Sequence, residues 1–224
     1  MRNFVVHDAE QRSPEWFTVR LGRLTGSVAG DMLAKIKSGE AAGRRNLRNR
    51  LVLERLTGRS QDTDFVTPAM QAGIDREASA FVAYEALTGV MALRSGFLAH
   101  VDHMAGCSLD GHMGDFVKLM SIKCRQPSAH LDFLKSGTIP TSAMAQIRHE
   151  LWITGAEYHD YFSWNPDFPA SLQSRIVTVT RKAAQIPEYE EAALAFLAEV
   201  DNECLAVATM DDPIGTLKKA VAIA

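Results

Sequence analysis

An aspartate and a lysine thirteen residues apart could do chemistry together in this sequence. Asp110 ends a short apolar run and is followed by Gly111, which predicts a carboxylate that projects from a strand end into a turn. Lys123 lies in LMSIKC (119–124), where the alternation places Ser121 and Lys123 on one face of a predicted strand. Two adjacent strands can bring such an acid and lysine together. Phosphodiester hydrolysis needs hard oxygen ligands for Mg²⁺ and a nearby cation that positions the attacking water, and this pair can supply both.

The same two residues also have an ordinary structural interpretation. Asp-Gly is a common hairpin turn, and a lysine in a strand is unremarkable. On these two residues alone, a plain turn beside a strand is the simpler reading.

The secondary structure around this pair must position it. The sequence predicts helices in the N-terminal part of the chain, strands in the middle and helices again towards the C-terminus. Ser13 and Pro14 predict a capped helix that runs to about Leu21, and a second helix should begin near Thr25 or Ser27 and run to about Ala34. Apolar spacing predicts further helices at 44–58, 69–89, 143–154 and 188–208. Strands are predicted at 91–101, 105–109, 115–117, 119–124 and 157–164, and an edge strand at 172–180. The expected fold class is α/β, a mixed central sheet flanked by helices.

Length and composition fit one soluble globular domain. We expect a single domain over 1–224, with N-terminal helices in 13–89, a sheet carrying the site in 91–180 and a C-terminal helix at 188–208. No stretch approaches the roughly 20 apolar residues that a membrane span needs, and the first residues lack the apolar run of a signal peptide. A cytoplasmic location is expected. The three cysteines have no CxxC pair, so reduced thiols are expected.

A basic segment stands out against the net charge of −3. Residues 35–59 contain eight lysines and arginines against two glutamates. The segment could bind DNA, but such a stretch is more often a solvated helix face.

Four blocks of this sequence, in order and at similar spacings, resemble the YqaJ-type viral recombinase family, also known as the bacteriophage lambda exonuclease family, within the PD-(D/E)XK nuclease superfamily. The blocks are SPEWFTVRLGRLTGS (13–27), QAGIDREASAFVAYEALTG (71–89), CSLDG (107–111) with SIKC (121–124), and PTSAMAQIRHELWITGAEYHDYFSWNP (140–166). The resemblance implies a three-layer, restriction-endonuclease-like core in which a mixed sheet carries the metal ligands and helices cover both faces.

The resemblance also implies roles for individual residues. Asp110 matches the metal-binding aspartate and Lys123 the catalytic lysine, while Glu77 looks like an additional acidic ligand and Gln146 lines the site. The carbonyl of Ile122 is expected as a further metal ligand. The positions that contact the 5′ phosphate of the cleaved strand in this family are matched by Arg20, Ser27 and Ser108. An arginine fork and hydroxyl donors suit a terminal phosphate.

The sequence departs from the family pattern at two places. Most members have glutamate two residues before the lysine, where this chain has Ser121, and proline before the aspartate, where it has Leu109. Either activity has been lost, or a carboxylate from elsewhere fills the gap. We favour Glu150, which lies one helical turn after Gln146 and so shares its face of the predicted helix.

Three histidines near these blocks are given ordinary roles. His149 is expected to pack or to lie at the surface, because it points away from the Glu150 side of the helix. His103 is expected in an exposed turn. His130 could touch DNA, but a structural position is the simpler expectation.

The function expected from the resemblance is a Mg²⁺-dependent exonuclease, with Mn²⁺ able to substitute. It would degrade linear double-stranded DNA from the 5′ end and leave 3′ overhangs, as phage or prophage recombination in a bacterial host requires. The resemblance further implies a homotrimer and a single-strand annealing protein as partner. A catalytically inactive protein that binds DNA ends, or an endonuclease on the same core, are the alternatives.

Overall fold

The computed structural model describes residues 2–61 and 67–210, without the side chains of 68–70. The helices are α1 (Pro14–Arg20), α2 (Ala29–Met32), α3 (Ala42–Thr57), α4 (Pro68–Thr88), α5 (Pro127–Ser136), α6 (Thr141–Thr154) and α7 (Ile186–Ala208). The strands are β1 (Phe4–His7), β2 (Leu24–Thr25), β3 (Phe97–His100), β4 (Ala105–Cys107), β5 (Gly111–Met113), β6 (Lys118–Cys124), β7 (Tyr158–Trp164) and β8 (Ser174–Thr180). The predicted domain bounds of 1–224 include residues outside the described ones, and the single domain stays a prediction.

The strands form two four-stranded mixed sheets, which confirms the predicted α/β class. The first has the order β1-β3-β4-β2 and the second β5-β6-β7-β8. In the second sheet β6 and β7 run parallel, joined by a crossover through α5 and α6, while β5 and β8 are antiparallel to their neighbours. The prediction that 172–180 is an edge strand is confirmed for Ser174–Thr180.

Helices cover both faces of the second sheet. One face packs against α4, where Tyr84 contacts the ring of Phe162. The other face belongs to the larger core, in which buried side chains of β6, β7 and β8 meet those of α5, α6 and α7. This is the expected three-layer arrangement. Among the described residues no helix is long and apolar enough to cross a membrane.

A buried carboxylate joins α4 to three strands. Asp160 on β7 is 1 % exposed and accepts hydrogen bonds from the Tyr84 hydroxyl at 2.7 Å and the Thr178 hydroxyl at 2.6 Å. The Lys118 ammonium lies 2.6 Å from the same carboxylate. Because a buried charge is tolerated when it is paired and hydrogen-bonded, these contacts make Asp160 a structural anchor.

The basic segment at 35–59 is largely a helix-to-helix interface. Arg44 forms a bidentate ion pair with Glu199 on α7, at 2.7 and 2.8 Å, and Arg48 pairs with Glu203 at 2.6 Å. Arg55 pairs with Asp201 on the same helix. The interpretation of 35–59 as a solvated face or a DNA-binding stretch is therefore wrong for these three arginines, because acids some 150 positions along the chain neutralise them.

Several element predictions need correction. No strand forms at 115–117, since Gly114, Asp115 and Phe116 all have positive φ and reverse the chain between β5 and β6. The predicted strand at 91–101 is shortened to β3, with an isolated bridge from Leu93 to His112 before it.

Helix α5 was not predicted, although Pro127 in its first turn and Gly137 after its end are ordinary helix signals. The short strands β1 and β2 were also missed. The Ser13 cap is confirmed, because its hydroxyl accepts a hydrogen bond from the Trp16 N–H, and all three cysteines are free.

Replacement of Asp160 with alanine is expected to lower the free energy of unfolding by about 3 kcal/mol, because Tyr84 and Lys118 lose a buried acceptor. Urea unfolding measures this change. The exposed carboxylate of Asp132 on α5 offers a control, and Asp132→Ala should change stability by less than about 0.5 kcal/mol. Equal stability of the two variants would refute the anchoring role.

Candidate active site

A hydrogen bond from the backbone of β6 fixes the Asp110 carboxylate. Asp110 directly precedes β5, and β5 pairs only with residues 118–120 of β6. The N–H of Ile122 therefore lies beyond the end of β5, and it donates to Asp110 Oδ2 at 2.7 Å. The N–H and C=O of one strand residue point to the same side of the strand, so the Ile122 carbonyl also faces this edge. Asp110 thus occupies the place that a further residue of β5 would have taken.

Asp110 and Lys123 line the same cleft, of about 450 Å³, as their spacing predicted. Glu77 on α4 also lines this cleft. Arg12 and Arg125 line it as well and add positive charge to its wall. Asp110 and Glu77 also border an adjoining cleft of about 800 Å³. The side chains of the predicted acid and lysine are therefore brought together.

The pKa of Asp110 is raised, and burial of its carboxylate is the main cause. The Lys123 ammonium lowers the pKa, as does the hydrogen bond from the Ile122 N–H, while the carboxylates of Glu150 and Glu77 raise it. Lys123 therefore offsets only part of the cost of burying the ionised carboxylate.

Glu150 lies in the interior, next to Gln146 as predicted. Its side chain is 1 % exposed, and its Oε1 accepts a hydrogen bond from Gln146 Nε2 at 2.7 Å. Its Oε2 lies 2.6 Å from Nε2 of His159, a fully buried residue of β7. Ser121, at the position of the usual glutamate, has its hydroxyl 3.4 Å from the same His159 nitrogen. Glu150 therefore reaches the neighbourhood of the strand position that lacks a carboxylate.

The acidic residues do not form a preassembled metal cluster. Glu77 is held by Arg94, whose guanidinium nitrogen is 3.0 Å from Oε1, and Glu150 is held by Gln146 and His159. In residues 2–61 and 67–210, no three His, Cys, Asp or Glu side chains converge on one point.

The donor chemistry nevertheless fits a hard divalent cation. The available groups are the Asp110 carboxylate, the Ile122 carbonyl and the carboxylates of Glu77 and Glu150, all of them oxygen donors, which Mg²⁺ prefers. Such a cation would stabilise the ionised form of Asp110, which burial disfavours.

Two of the three predicted phosphate contacts are connected through a tryptophan. The Arg20 guanidinium lies 3.8 Å from the centre of the Trp16 ring, and Trp16 Nε1 donates to the Ser108 hydroxyl at 3.1 Å. Ser108 and Trp16 line the larger cleft beside Asp110. Ser27 instead lies exposed at the cleft between α2 and α6, 3.3 Å from the Thr25 hydroxyl. The contacts thus group Arg20 with Ser108, whereas Ser27 lines a separate cleft.

The three histidines singled out in the sequence have structural contacts. His149 is buried between the Tyr189 hydroxyl at 2.8 Å and the Gly106 carbonyl at 2.9 Å, and burial lowers its pKa to about 4. His130 is buried against the Ser163 hydroxyl and the Leu172 carbonyl, and its suggested contact with DNA is not supported. His103, expected to be exposed, is partly covered by stacking on Trp152.

Sequence reasoning missed His159 and Trp16. The signal for His159 was available, since it occupies the same face of the predicted strand as Tyr161 and Ser163, where a buried strand needs apolar residues. A polar residue at such a position needs a partner, and here that partner is Glu150.

Comparison with known proteins identifies relatives over most of the chain. A family model described as the YqaJ-like viral recombinase domain matches residues 15–157. The structure is similar to the crystal structure of an alkaline exonuclease (LHK-Exo) from Laribacter hongkongensis, with 30% sequence identity and a TM-score of 0.78. The similarity covers 95% of this chain and 100% of that one, and the same values hold for LHK-Exo in complex with dAMP.

A more distant structure shares the fold. It is a phage related exonuclease from Haemophilus somnus 129PT, with 11% identity and a TM-score of 0.62 over 83% of this chain and 96% of that one. A comparison with curated protein sequences found no match.

The raised pKa of Asp110 predicts that this carboxylate destabilises the metal-free protein. A raised pKa in the folded state means that ionised Asp110 disfavours folding, and that this effect fades as pH falls through the raised value. Asp110→Asn keeps an acceptor for the Ile122 N–H and removes the charge. A gain on the order of 1 kcal/mol would raise the unfolding midpoint at pH 8 by about 2–4 °C in a chain of this size.

Differential scanning calorimetry in EDTA across a pH series measures this difference. The gap between Asp110→Asn and wild type should close towards acidic pH, and the exposed Asp132→Asn control should show no such trend. A lower midpoint for Asp110→Asn at pH 8 would refute the cost of burying this carboxylate in its ionised form.

Proposed function

Since this chain belongs to the YqaJ-like viral recombinase domain family and is a nuclease that acts on DNA, we propose that it is a Mg²⁺-dependent exonuclease acting on the ends of linear double-stranded DNA. The observation that carries the proposal is the meeting of Asp110 and Lys123 in one cleft, with Asp110 fixed by the Ile122 N–H. Mn²⁺ is proposed to substitute for Mg²⁺.

Four groups would hold the cation. Asp110 and the Ile122 carbonyl present their oxygens at the edge of β6, and Glu77 and Glu150 approach from the helices on the two sides of the sheet. When bound, the ion supplies a more acidic water and neutralises charge at the phosphorus. Glu77 would have to leave Arg94, and Gln146 keeps the Glu150 carboxylate oriented through its hydrogen bond to Oε1.

Lys123 acts on the water and on the phosphate. Its ammonium group lies in the cleft with Asp110, where it can orient the attacking oxygen and stabilise the negative charge that develops on the phosphoryl oxygens. Arg12 and Arg125 on the same cleft wall add to the field that attracts the DNA backbone.

The direction of degradation is proposed to follow from a 5′-phosphate pocket. Arg20 and Ser108 are positioned together by Trp16, and a guanidinium with a hydroxyl suits a terminal phosphate. Ser27, which lines a separate cleft, is proposed as a third contact. Anchoring of the 5′ end places the first phosphodiester of that strand near Asp110 and leaves a 3′ overhang as digestion proceeds.

The wider setting is proposed from the family alone. The chain would form one nuclease domain, assemble as a homotrimer, work with a single-strand annealing protein, and act in the cytoplasm of a bacterial host as a phage or prophage product.

One alternative function, an inactive protein that binds DNA ends, has support from specific observations. Ser121 in place of the usual glutamate, and the absence of three converging ligands in the described part of the chain, would also suit an inactive protein that binds DNA ends. Incubation of 5′-phosphorylated linear duplex with the protein and Mg²⁺ separates the two, since the proposal requires release of mononucleotides from the 5′-labelled strand. DNA binding without release would support the inactive protein, and cutting of closed circular DNA would support an endonuclease.

Glu150→Gln is expected to abolish nucleotide release while it leaves DNA affinity, measured in Ca²⁺, within about threefold of wild type, because the charge that holds the cation is lost and the phosphate contacts remain. The exposed Glu157, seven residues away, provides the matched control, and Glu157→Gln should keep full activity. Full activity of Glu150→Gln would remove this residue from the mechanism.

Arg20→Ala is expected to raise KM for 5′-phosphorylated ends by about tenfold or more, because a charge-assisted hydrogen bond is lost. The same variant should leave KM for 5′-hydroxyl ends nearly unchanged, and this substrate pair serves as the internal control. Steady-state kinetics on both duplexes measures the effect, and an equal rise for both ends would contradict the pocket.

A further inference from the structure

We propose that His159 is a positioning residue that holds Glu150 in place of the carboxylate missing from β6, and that Ser121 is small to make room for this pair. The proposal rests on the function proposed above and concerns the same site. It is carried by the contacts among the three buried side chains, from β6, α6 and β7.

Both oxygens of Glu150 have donors. Gln146 donates to Oε1 at 2.7 Å, and His159 Nε2, 2.6 Å from Oε2, donates to that oxygen. Two donors on different elements leave the carboxylate a single orientation, since Gln146 lies on α6 and His159 on β7. That orientation points Oε2 at the His159 nitrogen that also lies 3.4 Å from the Ser121 hydroxyl on β6, the strand that lacks the carboxylate.

The strand neighbours of His159 do not explain a polar side chain at this position. It is fully buried, and its register partners Leu119 on β6 and Val179 on β8 are buried apolar residues. Its other ring nitrogen, Nδ1, is buried and has no hydrogen-bond partner among the described residues. An apolar side chain would fill this position of the strand without an unsatisfied polar atom. The imidazole is therefore explained by the group that it does contact, the Glu150 carboxylate.

Ser121 completes the arrangement. Its side chain is 2 % exposed, and its hydroxyl lies 3.4 Å from the nitrogen that serves Glu150. A glutamate at this position would bring a second carboxylate into the same buried space, and two like charges at short distance repel each other. A glutamate at position 121 and Glu150 held by His159 are thus two alternative ways to supply one carboxylate to the metal site.

The test is Mn²⁺ affinity of the metal-free protein, measured by isothermal titration calorimetry without DNA. His159→Leu is expected to raise the Kd for Mn²⁺ by about 10–100-fold, the usual effect of removing a group that orients a metal ligand. His159→Gln, whose amide nitrogen can still reach Glu150, should stay within about threefold of wild type. His130→Leu is the matched control, since His130 is equally buried with two partners away from the cleft, and it should bind Mn²⁺ as wild type does.

A folded His159→Leu variant with wild-type Mn²⁺ affinity overturns the proposal. Should the leucine variant not fold, His159→Asn, which is too short to reach Glu150, carries the same expectation. If wild type binds no Mn²⁺ and releases no nucleotides, the proposed function fails as well. If wild type binds Mn²⁺ and digests DNA while His159→Leu binds equally well, the positioning role alone fails.

A reciprocal variant tests the role of Ser121. Glu150→Gln should lose Mn²⁺ affinity, and the double variant Ser121→Glu with Glu150→Gln should regain it, because the carboxylate returns to β6. A double variant that binds no better than Glu150→Gln overturns the claim that the two positions are alternatives.

Discussion

The site depends on one hydrogen bond, from the N–H of Ile122 to the carboxylate of Asp110. Strand β5 is short and does not extend to Ile122 of β6. The side chain of Asp110, not the backbone of β5, therefore accepts the hydrogen bond from the Ile122 N–H. The consequence is geometric. A turn residue, which would otherwise be free to move, is held against the strand that carries Lys123. The carboxylate is held out of solvent at a cost in desolvation, which raises its pKa.

The acids that surround Asp110 come from opposite layers of the fold. Glu77 lies on α4, which packs on one face of the second sheet, and Glu150 lies on α6, which packs on the other. Each is restrained by contacts of its own, through Arg94 and through His159 with Gln146. The site is therefore assembled by the layered architecture as a whole. Anchors far from the cleft, such as Asp160 beneath α4, contribute to it by fixing the helix that carries Glu77.

Much of this arrangement could be predicted from the sequence, and the failures have physical causes. The pairing of Asp110 with Lys123 followed from strand alternation, and the closeness of Gln146 and Glu150 from helical periodicity, because both are local rules. Residues 115–117 were mistaken for a strand because three consecutive left-handed residues, two of them not glycine, leave no clear mark in the sequence. Strand alternation could have marked His159 as a polar residue on a buried face, but not its partner Glu150, because no spacing rule encodes a contact between β7 and α6. The positions of Ser27 and Glu77 likewise depend on long-range packing.

The ion pairs between α3 and α7 bear on how the protein meets a polyanion. Arg44, Arg48 and Arg55 already have carboxylate partners within the fold, so they are poorly placed to displace the cations condensed on a DNA duplex. The favourable entropy of that displacement must come from other side chains, among them Arg12 and Arg125, which line the cleft of Asp110. A rise in ionic strength should therefore weaken DNA binding less than the eight basic residues of 35–59 would suggest.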